Sequence, residues 1–344
     1  MTPVPPPTSR LGRRLAVSMV LAVAVYAALV FWADARALAA SVAAFPWRWF
    51  APMLALAMGN YAIRFLRWQM YLRVLDAPLP ARASALVFGA GLAMSVTPGK
   101  VGELLKAALL KERHGLSVAL TAPAVVAERL TDFIALYVLL LAGIFSFRDR
   151  RLDVALGVGL VLLAVGFAAV LSRRFALSLI ALAERLPGGT RLGPKLREAH
   201  QSAARLLRPG PLAAAVALGV VAWAAECGAY WLALRGVGAT APSPVAAAFL
   251  YAAATIAGAV SMLPGGLGVT EGSLTLLSQR LFGLGVPAAG ASTLVVRLAT
   301  LWFAVVVGFV ALAVWRATTP RPAAASVPAP APAPPPAAPA GPAR

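Results

Sequence analysis

Ser95-Val96-Thr97-Pro98-Gly99-Lys100-Val101-Gly102-Glu103 interrupts one apolar stretch of the chain, and Ser261-Met262-Leu263-Pro264-Gly265-Gly266-Leu267-Gly268, followed by Glu271, interrupts another 166 residues later. Proline lacks a backbone N–H and glycine readily leaves helical φ/ψ, so each Pro-Gly pair ends a helix and strands backbone donors and acceptors. Hydrocarbon cannot satisfy those groups, and such a break survives at membrane depth only where protein or a watery cavity covers it. Two breaks at matched positions predict a chain built twice over, with a transporter's binding site where the breaks lie.

The 344 residues are 60% apolar and 12% charged, with a mean hydropathy of +0.81. That leaves too little polar surface for a water-soluble globule and predicts an all-α polytopic membrane protein. A formal charge of +19 in a soluble protein would suggest nucleic acid. Here the basic residues, almost all Arg, fall mostly in loops between apolar runs, the footprint of cytoplasmic loops beside anionic lipid, so no nucleic-acid partner is expected. Cys227, His114 and His200 are too few and too scattered for a disulfide or a metal site. With no Gly-rich nucleotide loop and no Ser-His-Asp set, neither a cofactor nor enzymatic activity is expected.

Six apolar runs are long enough to cross about 30 Å of hydrocarbon: 15–32, 50–68, 116–145, 152–171, 211–234 and 288–315. The start, with Arg10, Arg13 and Arg14, mimics a twin-arginine signal peptide, but its apolar core of about 18 residues suits an uncleaved first span. The two broken regions, near 83–112 and 245–283, have halves too short to span and read as re-entrant helical hairpins. Residues 317–344, dominated by Pro and Ala, read as a disordered tail.

The distribution of Arg and Lys supports the hairpins. If both broken regions re-enter, the basic N-terminus (1–14), the exit of the second span and the basic linker (172–210) all fall in the cytoplasm. If the first region crossed as one helix, that linker would lie outside. The hairpin arrangement places both termini inside and makes membrane repeat 1 (15–171) and the core of repeat 2 (211–316) opposite in topology, an inverted repeat. The match continues past the breaks, since Glu128-Arg129-Leu130-Thr131 meets Val296-Arg297-Leu298-Ala299 at an offset of 168, a slip of two residues.

Ionisable residues at membrane depth cost about 2.5–3.5 kcal/mol each on insertion scales and mark substrate or ion paths. The candidates for substrate binding are Lys100, Glu103, Lys106, Glu128, Arg129, Asp132, Glu271 and Arg297, with Pro98, Gly99, Gly102, Pro264, Gly265, Gly266 and Gly268 as the backbone breaks. Glu128 and Asp132 share a helix face with Arg129 between them, two carboxylates against one guanidinium, which predicts a net negative patch suited to a cation, a proton or an ammonium group, or else an internal ion-pair network. Arg297 has no acid in its own helical neighbourhood, so its partner is Glu271, Glu226 or a phosphate. The half-helix starting after each break should offer unpaired N–H groups and a positive dipole end to a lipid phosphate, unless the glycines serve only close packing. Arg64 and Arg67, with Trp68 and Tyr71, read as an interfacial belt snorkelling to headgroups.

Three stretches carry a resemblance: Arg64-Phe65-Leu66-Arg67-Trp68; Thr97-Pro98-Gly99-Lys100-Val101-Gly102-Glu103 with Glu128-Arg129-Leu130-Thr131-Asp132; and Leu263-Pro264-Gly265-Gly266-Leu267-Gly268-Val269-Thr270-Glu271-Gly272. Over roughly residues 12–316 the chain resembles the flippase-like transmembrane domain of lysylphosphatidylglycerol synthases, in a form without their soluble synthase domain. The resemblance implies a bacterial inner-membrane protein that moves an anionic, aminoacylated or polyprenyl-linked lipid between leaflets. Phosphate-bearing membrane lipids are then the ligands, and a lipid-synthesis enzyme is a partner. The alternative is a non-transporting scaffold that binds anionic lipid and partner proteins through the basic linker.

Overall fold

The computed structural model describes residues 34–144, 192–240 and 242–318, with Ala24 and scattered positions between 157 and 181; of Lys100 and Ile144 it describes the backbone alone. The basic N-terminus, the spans expected at 15–32 and 152–171, most of the linker before residue 192 and the tail expected at 317–344, except its first two residues, lie outside the described residues.

The described chain is helical throughout. In order come α1 (Ala35–Ala43), α2 (Phe50–Val74), α3 (Ala81–Leu92), a 3₁₀ segment (Pro98–Leu104), α4 (Leu105–His114) and α5 (Val118–Ile144). Then follow α6 (Gly193–Leu206), α7 (Pro209–Gly236), α8 (Pro244–Val260), a 3₁₀ turn (Pro264–Gly266), α9 (Val269–Phe282), α10 (Val286–Arg297), a π-helical segment (Leu298–Trp302) and α11 (Phe303–Thr318). Four of the six expected spans thus coincide with described helices. Two of these, Pro209–Gly236 and Val286–Thr318, are long and apolar enough on their own to cross a membrane. The other two, α2 and α5, have the length but carry Arg64, Arg67 and Arg73 or Glu128, Arg129 and Asp132.

Most of that charge faces inward, Arg73 near the end of α2 being exposed and Arg129 half-buried. Arg64, Arg67, Glu103, Lys106, Glu128, Asp132, Glu226, Glu271 and Arg297 are all buried, while Leu66, Val126, Val221, Val306, Phe309 and Val310 stand exposed on the outside of the same helices or their neighbours. Polar within and apolar without is the arrangement hydrocarbon favours and water penalises. The chain is a helical membrane protein.

At each break the chain folds back so that its flanking helices touch, α3 against α4 and α8 against α9, and the two breaks also touch each other. Gly265 sits against Val96, and Met262 reaches Gly99. Around this centre the packing is reciprocal: α3 lies on α11, whereas α8 lies on α5, and α2 packs along α7. The α2–α7 pair is antiparallel, since Leu56 meets Gly228, Asn60 Nδ2 donates to the Ala222 carbonyl at 2.8 Å, and Arg67 meets Gly219. Glycine makes the closest approaches possible. A Cβ on Gly308 of α11 would lie 2.0 Å from the Ala93 nitrogen, and one on Gly258 of α8 would lie 2.0 Å from the Thr270 hydroxyl of α9.

Candidate functional site

The second break shows why its residues are what they are. Gly265 and Gly266 hold φ of 61° and 68°, a region side chains avoid, and a Cβ on Gly266 would come within 3.1 Å of the Gly258 Cα. Met262, just before the break, has φ 55°, a strain of about 1–2 kcal/mol that a non-glycine residue tolerates only when its surroundings impose it. The first break is gentler: Pro98 opens the 3₁₀ segment, and Thr97 Oγ1 accepts the Gly102 N–H at 2.9 Å.

Where the breaks meet lies a cavity of about 300 Å³, bounded by α2, α5, α7, α8, the π segment and both breaks. Gly99, Gly265, Gly266 and Met262 form its break side, and Tyr61, Trp223 and Tyr251 supply aromatic walls. Its charged groups are Arg64, Arg129, Asp132, Glu226 and Arg297. The π segment contributes Thr300, whose carbonyl accepts the Tyr61 hydroxyl at 2.7 Å; such one-turn widenings free a carbonyl for bonding off the helix and recur at functional sites.

Each arginine of the repeated motif is held by an acid 26 residues before it. Arg129 Nη2 reaches Glu103 Oε2 at 3.2 Å, and Arg297 Nε reaches Glu271 Oε1 at 2.7 Å. Of the partners considered for Arg297, Glu271 is in direct contact, and Gly265 adds a carbonyl at 2.8 Å. The two-residue slip therefore falls between the last glycine of each break, Gly102 or Gly268, and its glutamate, where Val269 and Thr270 are the additional residues.

The net negative patch expected around Glu128 and Asp132 is corrected. Lys106 Nζ lies 2.5 Å from Glu128 and 3.6 Å from Glu103, while Arg67 lies 2.6 Å from Asp132, so two cations from other helices neutralise it. Arg129 adds contacts of 3.2 Å to both Glu103 and Asp132. The Lys106 ammonium also sits over the Trp68 ring, 4.7 Å from its centroid. The half-helix amides are likewise not left wholly for a ligand, because Gly268 N–H donates to Glu271 Oε2 at 2.8 Å and Gly102 N–H to Thr97.

The predicted site residues thus divide. Arg129, Asp132, Arg297, Gly99, Gly265 and Gly266 line the cavity; Glu103, Lys106, Glu128 and Glu271 stand behind it as counter-charges; Pro98, Gly102, Pro264 and Gly268 shape the breaks. The Lys100 side chain lies outside the described residues.

The interfacial belt is also corrected. Arg67, Trp68 and Tyr71 are fully buried and Arg64 is 5% exposed, because α2 does not end at Trp68 but runs on to Val74. Asn60, Arg64, Arg67 and Tyr71 recur at spacings of four, three and four, one face of a helix, and that stripe was the available signal for an inward-facing polar surface.

A family model described as lysylphosphatidylglycerol synthase TM region matches residues 19–308, most of the chain. No curated protein matches it significantly.

Proposed function

The chain belongs to the lysylphosphatidylglycerol synthase transmembrane-region family, and from that premise we propose that it is a bacterial inner-membrane flippase or scramblase for a phosphate-bearing lipid. The observation that carries this reading is the meeting of the two breaks at a cavity bearing Arg129 and Arg297 from equivalent places. Broken helices that converge on charged side chains are how membrane transporters form a polar site at depth without exposing backbone to lipid. At about 300 Å³ the cavity is at the lower end for small-ligand sites, which suits a headgroup whose acyl chains stay in the hydrocarbon outside.

In this reading the reciprocal packing and the antiparallel α2–α7 pair belong to an inverted repeat of two re-entrant hairpins, with both termini and the basic linker in the cytoplasm. Arg129 and Arg297 serve as alternate phosphate or counter-charge positions, balanced by Glu103, Asp132 and Glu271 when the cavity is empty. In this reading the membrane region moves the lipid, and a lipid-synthesis enzyme is its partner. The scaffold reading draws on a different observation, the extensive mutual pairing of the buried charges, which a purely structural network would also show.

Leaflet-resolved movement of a fluorescent phosphatidylglycerol in proteoliposomes separates the two. Wild-type protein should accelerate it, and Arg129→Gln or Arg297→Gln should slow it strongly, while Arg235→Gln, stacked on Trp231 away from the cavity, should not. Wild-type vesicles that exchange lipid no faster than empty ones would leave the scaffold.

A further inference from the structure

Of the four buried cations among the described residues, three have an ion-pair partner within 4 Å, Arg67 with Asp132, Lys106 with Glu128 and Arg297 with Glu271, and the half-buried Arg129 pairs with Glu103. Arg64 is the fourth. It lies ten residues before the end of α2, is 5% exposed, and lines the cavity. Among the described residues it makes no hydrogen bond and no ion pair, and its Nε is buried without an acceptor. Asp132, Glu103, Glu128 and Glu226 act on it only through space. A guanidinium brings five donors in a planar fork matched to two oxygens of a phosphate or carboxylate. Leaving that fork unsatisfied in a buried site is costly, and proteins keep such costs where a ligand removes them.

We propose that Arg64 is the residue that first grips the cargo, taking phosphodiester oxygens of a lipid headgroup in the cavity before Arg129 and Arg297, which are held by their acids, can do so. This rests on the lipid-transport reading and assigns its headgroup contact. The same fork would also accept free phosphate, so the source of the anion must be tested. An unpaired buried cation carries a signature that a structural one does not: neutralising it should weaken binding without weakening the fold.

The full chain is purified in detergent and offered phosphatidylglycerol or uncharged diacylglycerol, with retention read by native mass spectrometry and with inorganic phosphate in excess as competitor. Thermal unfolding of the same samples without added lipid is followed in parallel. Wild type should prefer phosphatidylglycerol over diacylglycerol by about tenfold or more, the worth of charge-assisted hydrogen bonds. Arg64→Gln should lose that preference and unfold at the wild-type temperature or above, and Arg64→Lys should recover part of the preference. Inorganic phosphate should not displace the lipid. The proposal is overturned if Arg64→Gln retains the wild-type preference, if it unfolds earlier or fails to fold, or if inorganic phosphate displaces phosphatidylglycerol. Wild type that retains phosphatidylglycerol through Arg64 but does not move it between leaflets would uphold the contact and remove the transport reading. Transport undiminished in Arg64→Gln would do the reverse.

Discussion

Arg129 and Arg297 occupy matching places, yet losing them should not cost the same. Arg297→Gln leaves Glu271, which is 1% exposed, with no cation among the described residues and only the Gly268 amide as compensation. Removing one member of such a buried pair costs about 3–5 kcal/mol. Arg129→Gln is better cushioned. Glu103 keeps Lys106 at 3.6 Å, Asp132 keeps Arg67 at 2.6 Å, and the Arg129 side chain is itself 22% exposed. Only charge-assisted hydrogen bonds are lost there, about 1.5–3 kcal/mol. Equilibrium unfolding in mixed micelles by added SDS, followed by tryptophan fluorescence, should therefore place Arg297→Gln below Arg129→Gln by about 1 kcal/mol or more. The double variant Glu271→Leu with Arg297→Met should recover part of the loss, because an apolar pair leaves no orphaned charge. An Arg129→Gln protein as unstable as Arg297→Gln, or a double variant worse than the single, would refute this account of the pairing.

The orientation can be read by single cysteines in a Cys227→Ser background: Gln201→Cys before α7 should resist an impermeant thiol reagent in intact cells, and Thr240→Cys after α7 should react. Labelling in the opposite sense would reverse the assigned topology. Gly258→Ala drives a Cβ against the Thr270 hydroxyl and should lower the unfolding temperature, with the loss largely recovered by adding Thr270→Ala; no recovery would mean the clash lies elsewhere. Gly308→Ala meets the backbone of Ala93 instead, so it should destabilise more than Gly258→Ala and resist rescue by any single side-chain truncation on α3. A Gly308→Ala protein of wild-type stability would show that α3 and α11 pack less closely than described.

The breaks, their pairing and the inward placement of Arg129 and Arg297 at the cavity were legible because each rests on local chemistry: Pro and Gly cannot continue a helix, and lone charges in apolar runs need a reason. The burial of Arg64 and Arg67 was not, because the apolar run stops at Trp68 while the helix continues to Val74, and the difference of six residues moves both arginines from a helix end to its interior. Neutralisation of Glu128 by Lys106 was equally hidden. Their separation of 22 residues becomes a contact only once the turn at Gly115 folds α5 back along α4. The slip of two residues looked like loop tolerance, yet it is what keeps the acid-to-arginine separation at 26 in both halves.

The exchange of packing partners also sets an order on how the protein can be made. Helix α3 ends at Leu92 and rests on α11, which begins at Phe303. A ribosome adding about 5–20 residues per second needs roughly 10–40 s to deliver that later helix after α3 is complete. Throughout that interval the face of α3 shaped to meet Gly308 and Ala311 lacks the helix it comes to rest on. The early part of the protein must therefore wait in the membrane half-assembled, and α11 acts as the clasp. Damage in α11 should accordingly show itself as degradation of the newly made chain as a whole, not as a local defect in α11.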